Sequence, residues 1–201
     1  MKTATIDKTI NTATNYKLTK ATDEVLAKIF AEKMGVSNYK KFLDWRGKIL
    51  KYVRHKIPEL LRDYKWPLLN QMTVWEGHNI VPLILRSEFA SLLSWTTVTP
   101  TFKANYMAVW TGSTTPANSD TQLVAETLRW TFENRFSVDN VAYLDKFFTS
   151  AQVWWTTVSE LGIFVDWTAS ANTGYLLSRI LANEVMSATE TLTINATITV
   201  A

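Results

Sequence analysis

The hydrophobic positions of this chain change their period near Trp66. Ahead of that point they recur at helical spacing. Thr22 predicts an N-cap, Asp23 and Glu24 suit the positive end of a helix, and Gly35 after Met34 supplies a stop, which together predict a helix over 23–34. Ser37 predicts the cap of a second helix. In it Phe42, Leu43, Ile49, Leu50, Val53 and Ile57 fall within one sector at 100° per residue, while Lys40, Lys41, Lys48, Lys51, Arg54 and His55 gather on the other. Pro58 suits the first turn of a third helix over 59–64, and Trp66-Pro67 ends it by biasing the residue before proline away from helical geometry. Residues 9–14, rich in Thr and Asn, read as part of an extended arm over 1–20.

Beyond Trp66 the period falls to about two, and Thr, Val, Ile and aromatic residues become frequent, the signature of strands. The clearest case is 190–201, where Leu192, Ile194, Ala196, Ile198 and Val200 alternate with Thr193, Asn195, Thr197 and Thr199, predicting one buried face and one wet face. Further strands are predicted over 80–86, 102–111, 129–138, 143–149, 161–167 and 175–181, with turn-rich stretches at 112–120 and 168–174 and short helices over 88–95 and 151–159. The fold class expected is α+β: a basic helical segment over 1–77, then an antiparallel β-sandwich, jelly-roll-like, over 78–201 that folds by itself.

Composition sharpens this picture by exclusion. The 201 residues contain no cysteine, which removes disulfides, thiolate metal sites and thiol catalysis. The longest apolar runs, 80–85 and 161–165, fall far short of the roughly 20 residues of a membrane helix, so no membrane partner is expected. The net charge of +3 hides an asymmetry, because residues 1–65 hold 15 Lys and Arg against 7 Asp and Glu, while 66–201 hold 6 against 11. The two parts have opposite sign, as a head-to-tail interface between copies would require.

Signals for chemistry are weak. His55 and His78 have no metal-ligating partner at helical spacing, so no metal and no cofactor is expected; His55 reads as part of the basic face and His78 as a turn residue. No Gly-rich phosphate loop and no GxSxG elbow occurs. Glu126, Glu133, Asp139, Asp145, Glu160 and Asp166 would supply a glycosidase pair. The stronger reading assigns no catalytic residue and makes Glu126, Arg129, Glu160 and Arg179 structural ion-pairing groups, since unpaired burial of a charge is costly. The basic face of Lys40, Lys41, Lys48, Lys51 and Arg54 is the expected partner-binding surface, with an acidic protein favoured over nucleic acid. Trp154-Trp155 with Trp110 and Trp167 would suit a sugar-stacking platform.

Read in order, several short pieces of the C-terminal part resemble a β-sandwich module of tailed-bacteriophage virion proteins. These are Trp110-Thr111-Gly112, Asp120-Thr121-Gln122-Leu123 with Glu126 and Arg129, Glu160-Leu161-Gly162-Ile163-Phe164, Leu177-Ser178-Arg179, and Glu190-Thr191-Leu192-Thr193-Ile194. The similarity covers about 78–201. It departs from the usual Gly-x-Gly at the first strand end, where only Gly112 is present, and it leaves out 1–77. The resemblance implies a non-enzymatic building block of a head, neck, tail or fibre, made in the host cytoplasm and located in the virion, whose partners are copies of itself and other virion proteins. The alternatives are a glycan- or receptor-binding fibre module and an enzyme acting on polysaccharide.

Overall fold

The computed structural model describes residues 12–62, 73–79, 103–153, 157–165, 170–171 and 173–200. Two antiparallel sheets lie face to face as a β-sandwich. The first has five strands in the order β2 (Thr73–Asn79), β1 (Thr12–Thr22), β9 (Glu190–Val200), β6 (Val141–Phe148), β5 (Asn134–Val138). The second has four, in the order β4 (Glu126–Thr131), β3 (Ala104–Trp110), β7 (Thr157–Val165), β8 (Tyr175–Val185). Between them lies one apolar layer, to which Leu18, Leu144, Leu192 and Ile194 contribute from the first sheet and Met107, Val109, Leu161 and Ile163 from the second.

The N-terminal part differs from the basic helical segment predicted for it. Residues 12–22, which begin inside the expected arm over 1–20 and run two residues past it, form β1, and β1 pairs along its whole length with β9, from Thr12 opposite Val200 to Thr22 opposite Glu190. Its other edge pairs with β2. The five-stranded sheet thus draws strands from both sides of residue 77, and Tyr16 and Leu18 belong to the inter-sheet core. From residue 12 on, the Thr- and Asn-rich extended stretch is a sheet strand, because β1 supplies both apolar side chains and backbone partners to β9.

Of the three predicted helices, the first stands as α1 (Asp23–Lys33). Thr22 Oγ1 accepts from the Val25 amide at 3.3 Å. At the other end Gly35, with φ of 65°, closes a Schellman motif in which the Val36 amide reaches Ala31 O at 2.8 Å and the Gly35 amide reaches Glu32 O at 3.1 Å. The long second helix does not form. In its place come a 3₁₀ turn (Tyr39–Phe42), a tight hairpin over 43–49 and one short helix, α2 (Lys51–Arg54), while the third predicted helix, over 59–64, is α3 (Ile57–Arg62), which starts two residues earlier. Asp44 and Gly47 break the helix: the Gly47 amide bonds Asp44 O at 3.0 Å, the Asp44 amide bonds Lys48 O at 2.8 Å, and Gly47 takes φ of 73°. That is the three-residue hairpin loop, a type I turn closed by a left-handed glycine. The apolar positions still converge: Phe42, Ile49, Val53 and Ile57 join α1 and Phe147 in a second core that covers part of the outer face of the five-stranded sheet.

Strand boundaries were also adjusted by tertiary pairing. The predicted strand over 129–138 is two strands, β4 and β5, which lie in different sheets and are separated by Phe132 and Glu133. The predicted helix over 151–159 is one turn, α4 (Ser150–Val153), followed by β7. His78 lies in β2 rather than in a turn. The predicted strand over 80–86 and helix over 88–95 lie outside the described residues, as do Trp154, Trp155 and Trp167.

Candidate functional site

Carboxylates and arginines meet on the outer face of the four-stranded sheet. Along β7, Leu161 and Ile163 face the inter-sheet core, whereas Phe164 faces outward with Ala108, Leu123 and Leu176. Glu160 is fully buried and pairs with the Nε of Arg179, one strand over on β8. The same guanidinium binds Asp120, Thr114 O at 2.8 Å and Thr114 Oγ1 at 2.7 Å. Arg179 therefore fastens the 112–125 loop onto the sheet, and Leu123 of that loop lies over Gly162, where an added Cβ would come within 2.8 Å of Leu123 Cδ2. The loop that begins with the turn-rich stretch is also held by Gln122 Nε2, which donates to Gly174 O at 3.3 Å, and by the Val124 amide, which donates to Glu160 Oε2 at 3.4 Å.

Glu126 and Arg129 form a second buried pair, with Nη2 2.6 Å from Glu126 Oε2. Three residues apart on a regular strand, they would face opposite sides. A bulge brings them to one side: Val109 pairs with Leu128 but Trp110 with Glu126, so β4 carries one extra residue there. Arg129 also donates to Thr173 O at 2.6 Å and lies 4.0 Å above the Phe164 ring. Both carboxylates are thus sealed from solvent, Glu126 with both oxygens on Arg129 and Glu160 with one oxygen on Arg179 and the other accepting from the Val124 amide at 3.4 Å, an arrangement that holds loops and strand ends together.

A third polar cluster lies beneath α3. The outer face of β9, predicted to be wet, is buried at Thr191, Thr193 and Asn195. Asn195 Nδ2 donates to Pro58 O at 2.9 Å and to Asp145 Oδ1 at 2.8 Å, while Arg62 at the end of α3 pairs with the other oxygen of Asp145. Lys17 Nζ reaches Leu61 O at 2.9 Å and Arg62 O at 3.1 Å, a cation at a helix C-terminus. Elsewhere Glu133 binds Lys146 Nζ at 2.8 Å, and Lys20 lies 3.3 Å from Glu184 and 3.9 Å from Glu190. Among the described residues no cluster of three or more His, Asp or Glu is arranged to hold a metal ion, and no helix is long and apolar enough to cross a membrane.

The residues of the predicted basic face do not share a helix. Lys40 and Lys41 stand on the 3₁₀ turn, Lys48 on the hairpin, Lys51 and Arg54 on α2. Two of the five are engaged within the fold: Lys48 Nζ binds Ser150 Oγ at 2.8 Å and lies 3.3 Å from Asp23, and Arg54 Nε donates to Ile49 O at 3.2 Å. Lys40, Lys41 and Lys51 are exposed or nearly so. Sequence reasoning missed the residues between them. Trp45 and Arg46 occupy the hairpin tip, with Trp45 86% exposed and the Arg46 guanidinium 4.5 Å from the centre of its ring. Asp44 Oδ1 accepts from both the Arg46 and Lys48 amides at 2.9 Å and so fixes the turn. The spacing Asp44-x-x-Gly47 is the signal that would have found it.

Beside the hairpin, Glu24 lies 2.9 Å from Lys28 and accepts from the Tyr39 hydroxyl at 3.0 Å. The Lys28 hydrogen bond, then that of Tyr39, hold the Glu24 carboxyl below its ordinary range, and Glu24 in turn raises the Lys28 ammonium and the Tyr39 hydroxyl. In comparisons with known proteins, the chain matches no family model, no curated protein and no solved structure.

Proposed function

We propose that this protein is a non-enzymatic building block of a tailed-phage particle, in a head, neck or tail assembly, that associates with copies of itself and docks other virion proteins. The reading makes it a jelly-roll-like member of the virion sandwiches whose pieces its C-terminal part resembles, located in the particle after synthesis in the host cytoplasm. One observation carries the assembly side of this proposal. β5 ends the five-stranded sheet, with no further strand paired to it among the described residues, and carries Phe136 (43% exposed) and Val138 (53% exposed), which suits pairing with another chain. The buried carboxylates favour it over an acid–base enzyme, because Glu126, Asp145 and Glu160 each already serve an arginine.

Size-exclusion chromatography with light scattering tests the proposal. The purified chain is expected to run as a ring or higher oligomer, and Val138→Lys to shift it to smaller species while leaving the circular dichroism melt unchanged, since Val138 is exposed. A wild-type monomer at all concentrations, or unaltered assembly in Val138→Lys together with Phe136→Lys, overturns the β5 edge as the contact.

A further inference from the structure

Assembly through β5 leaves the hairpin unused. Residues 33–56 carry eight Lys and Arg against one acidic side chain, Asp44, which the turn consumes. At its tip an indole stands 86% exposed beside a stacked guanidinium, and Tyr52 on α2 is 61% exposed. Three hydrogen bonds to Asp44 and Lys48 amides or carbonyls and a left-handed Gly47 hold the tip out, so the indole is presented rather than left loose.

We infer that this tip binds single-stranded nucleic acid, with Trp45 stacking on an unpaired base and Lys40, Lys41 and Lys51 set along the phosphates. An exposed aromatic among cations is the pairing that such strands use, base on ring and phosphate on ammonium. A protein partner fits less well. Cores of protein interfaces are rich in Trp, Tyr and Arg but depleted of Lys, whereas the exposed surface of 33–56 carries Lys33, Lys40, Lys41, Lys51 and Lys56. Beyond residue 103, the described part of a second copy offers few free anions. Of the eight Asp and Glu described beyond residue 103, seven are already within 4 Å of an internal Lys or Arg nitrogen. In a duplex the base faces are covered by stacking, so the indole finds a partner only on an unpaired strand. The inference does not depend on the virion reading.

The test uses the full chain, treated with nuclease and washed at high salt until its absorbance shows no nucleic acid, titrated by fluorescence anisotropy with a labelled 20-nucleotide oligothymidylate. Binding is expected at 50 mM salt. Three or four phosphate contacts would weaken it roughly 20- to 50-fold by 200 mM. Trp45→Ala should weaken it by roughly tenfold, and Trp45→Phe should recover most of that loss. Lys40→Glu with Lys41→Glu should flatten the salt dependence without moving the thermal melt. No binding at 50 mM, wild-type affinity in Trp45→Ala, or equal affinity for a 20-base-pair duplex or for polyglutamate would each overturn the inference, the last pointing to an acidic protein instead.

Discussion

The Tyr16 hydroxyl donates to Ser178 Oγ at 2.6 Å, joining β1 of one sheet to β8 of the other through the middle of the sandwich. Burial raises the Tyr16 hydroxyl well above its ordinary range, and the Ser178 bond only partly opposes this. The folded state therefore keeps a proton that the unfolded chain releases near pH 10, so the stabilisation is complete below pH 10 and declines as pH rises above it. Urea melts between pH 8 and 11 should show this decline. Tyr16→Phe should lower stability by about 1 kcal/mol at pH 8 and lose part of the alkaline slope. An identical slope in the variant would assign the decline to other groups.

Glu160 offers a separate test of the outer face. Glu160→Ala removes the anion facing the Nε of a buried guanidinium, so a loss of about 3 kcal/mol is expected in denaturant melts. Replacing both members, Glu160→Leu with Arg179→Met, should cost less than the single change, because the buried guanidinium leaves with its buried anion and only the part-exposed Asp120 loses a partner. A Glu160→Ala protein that melts like wild type would contradict the pairing.

At Gly162 the constraint is steric. Its φ lies outside the left-handed region, but a methyl group would press on Leu123. Gly162→Ala should cost about 1 kcal/mol, at the low end for overpacking because a leucine side chain gives way. The same substitution in a Leu123→Ala background should cost less, and a double-mutant cycle by urea denaturation reads the difference directly.

Gly47 poses the opposite case, with open space around it and a φ of 73°. Gly47→Ala should cost about 1 kcal/mol from the left-handed backbone alone. For a chain of this size that is a fall in melting temperature of about 2 to 4 °C. A fall much larger than this would mean that the hairpin supports the core more broadly than its bridge between Leu43 and Ile49 suggests.

What the sequence by itself determined was local. Capping atoms and a C-terminal glycine lie within a few residues of what they cap, so α1 could be read from Thr22, Asp23 and Gly35. Alternation fixed which side chains of β9 enter the inter-sheet core, because the pleat has a period of two whatever the partner. The helical sector over 37–57 identified the buried apolar residues Phe42, Ile49, Val53 and Ile57, yet misjudged the backbone that carries them, since Asp44-x-x-Gly47 outweighs periodicity over so short a span. Only the tertiary structure decided the rest. Pairing of β1 with β9 joins residues about 180 positions apart, and no local signal reports such a partner. The polar face of β9 looked wet because Thr and Asn suit water; α3 and α4 pack on it, Asn195 Nδ2 bonds Pro58 O and Asp145, and Thr191 bonds Ala21 O, while Thr193 Oγ1 and Asn195 Oδ1 have no hydrogen-bond partner among the described residues. In the same way a bulge in β4, invisible in composition, turns Glu126 and Arg129 to one side and makes them partners.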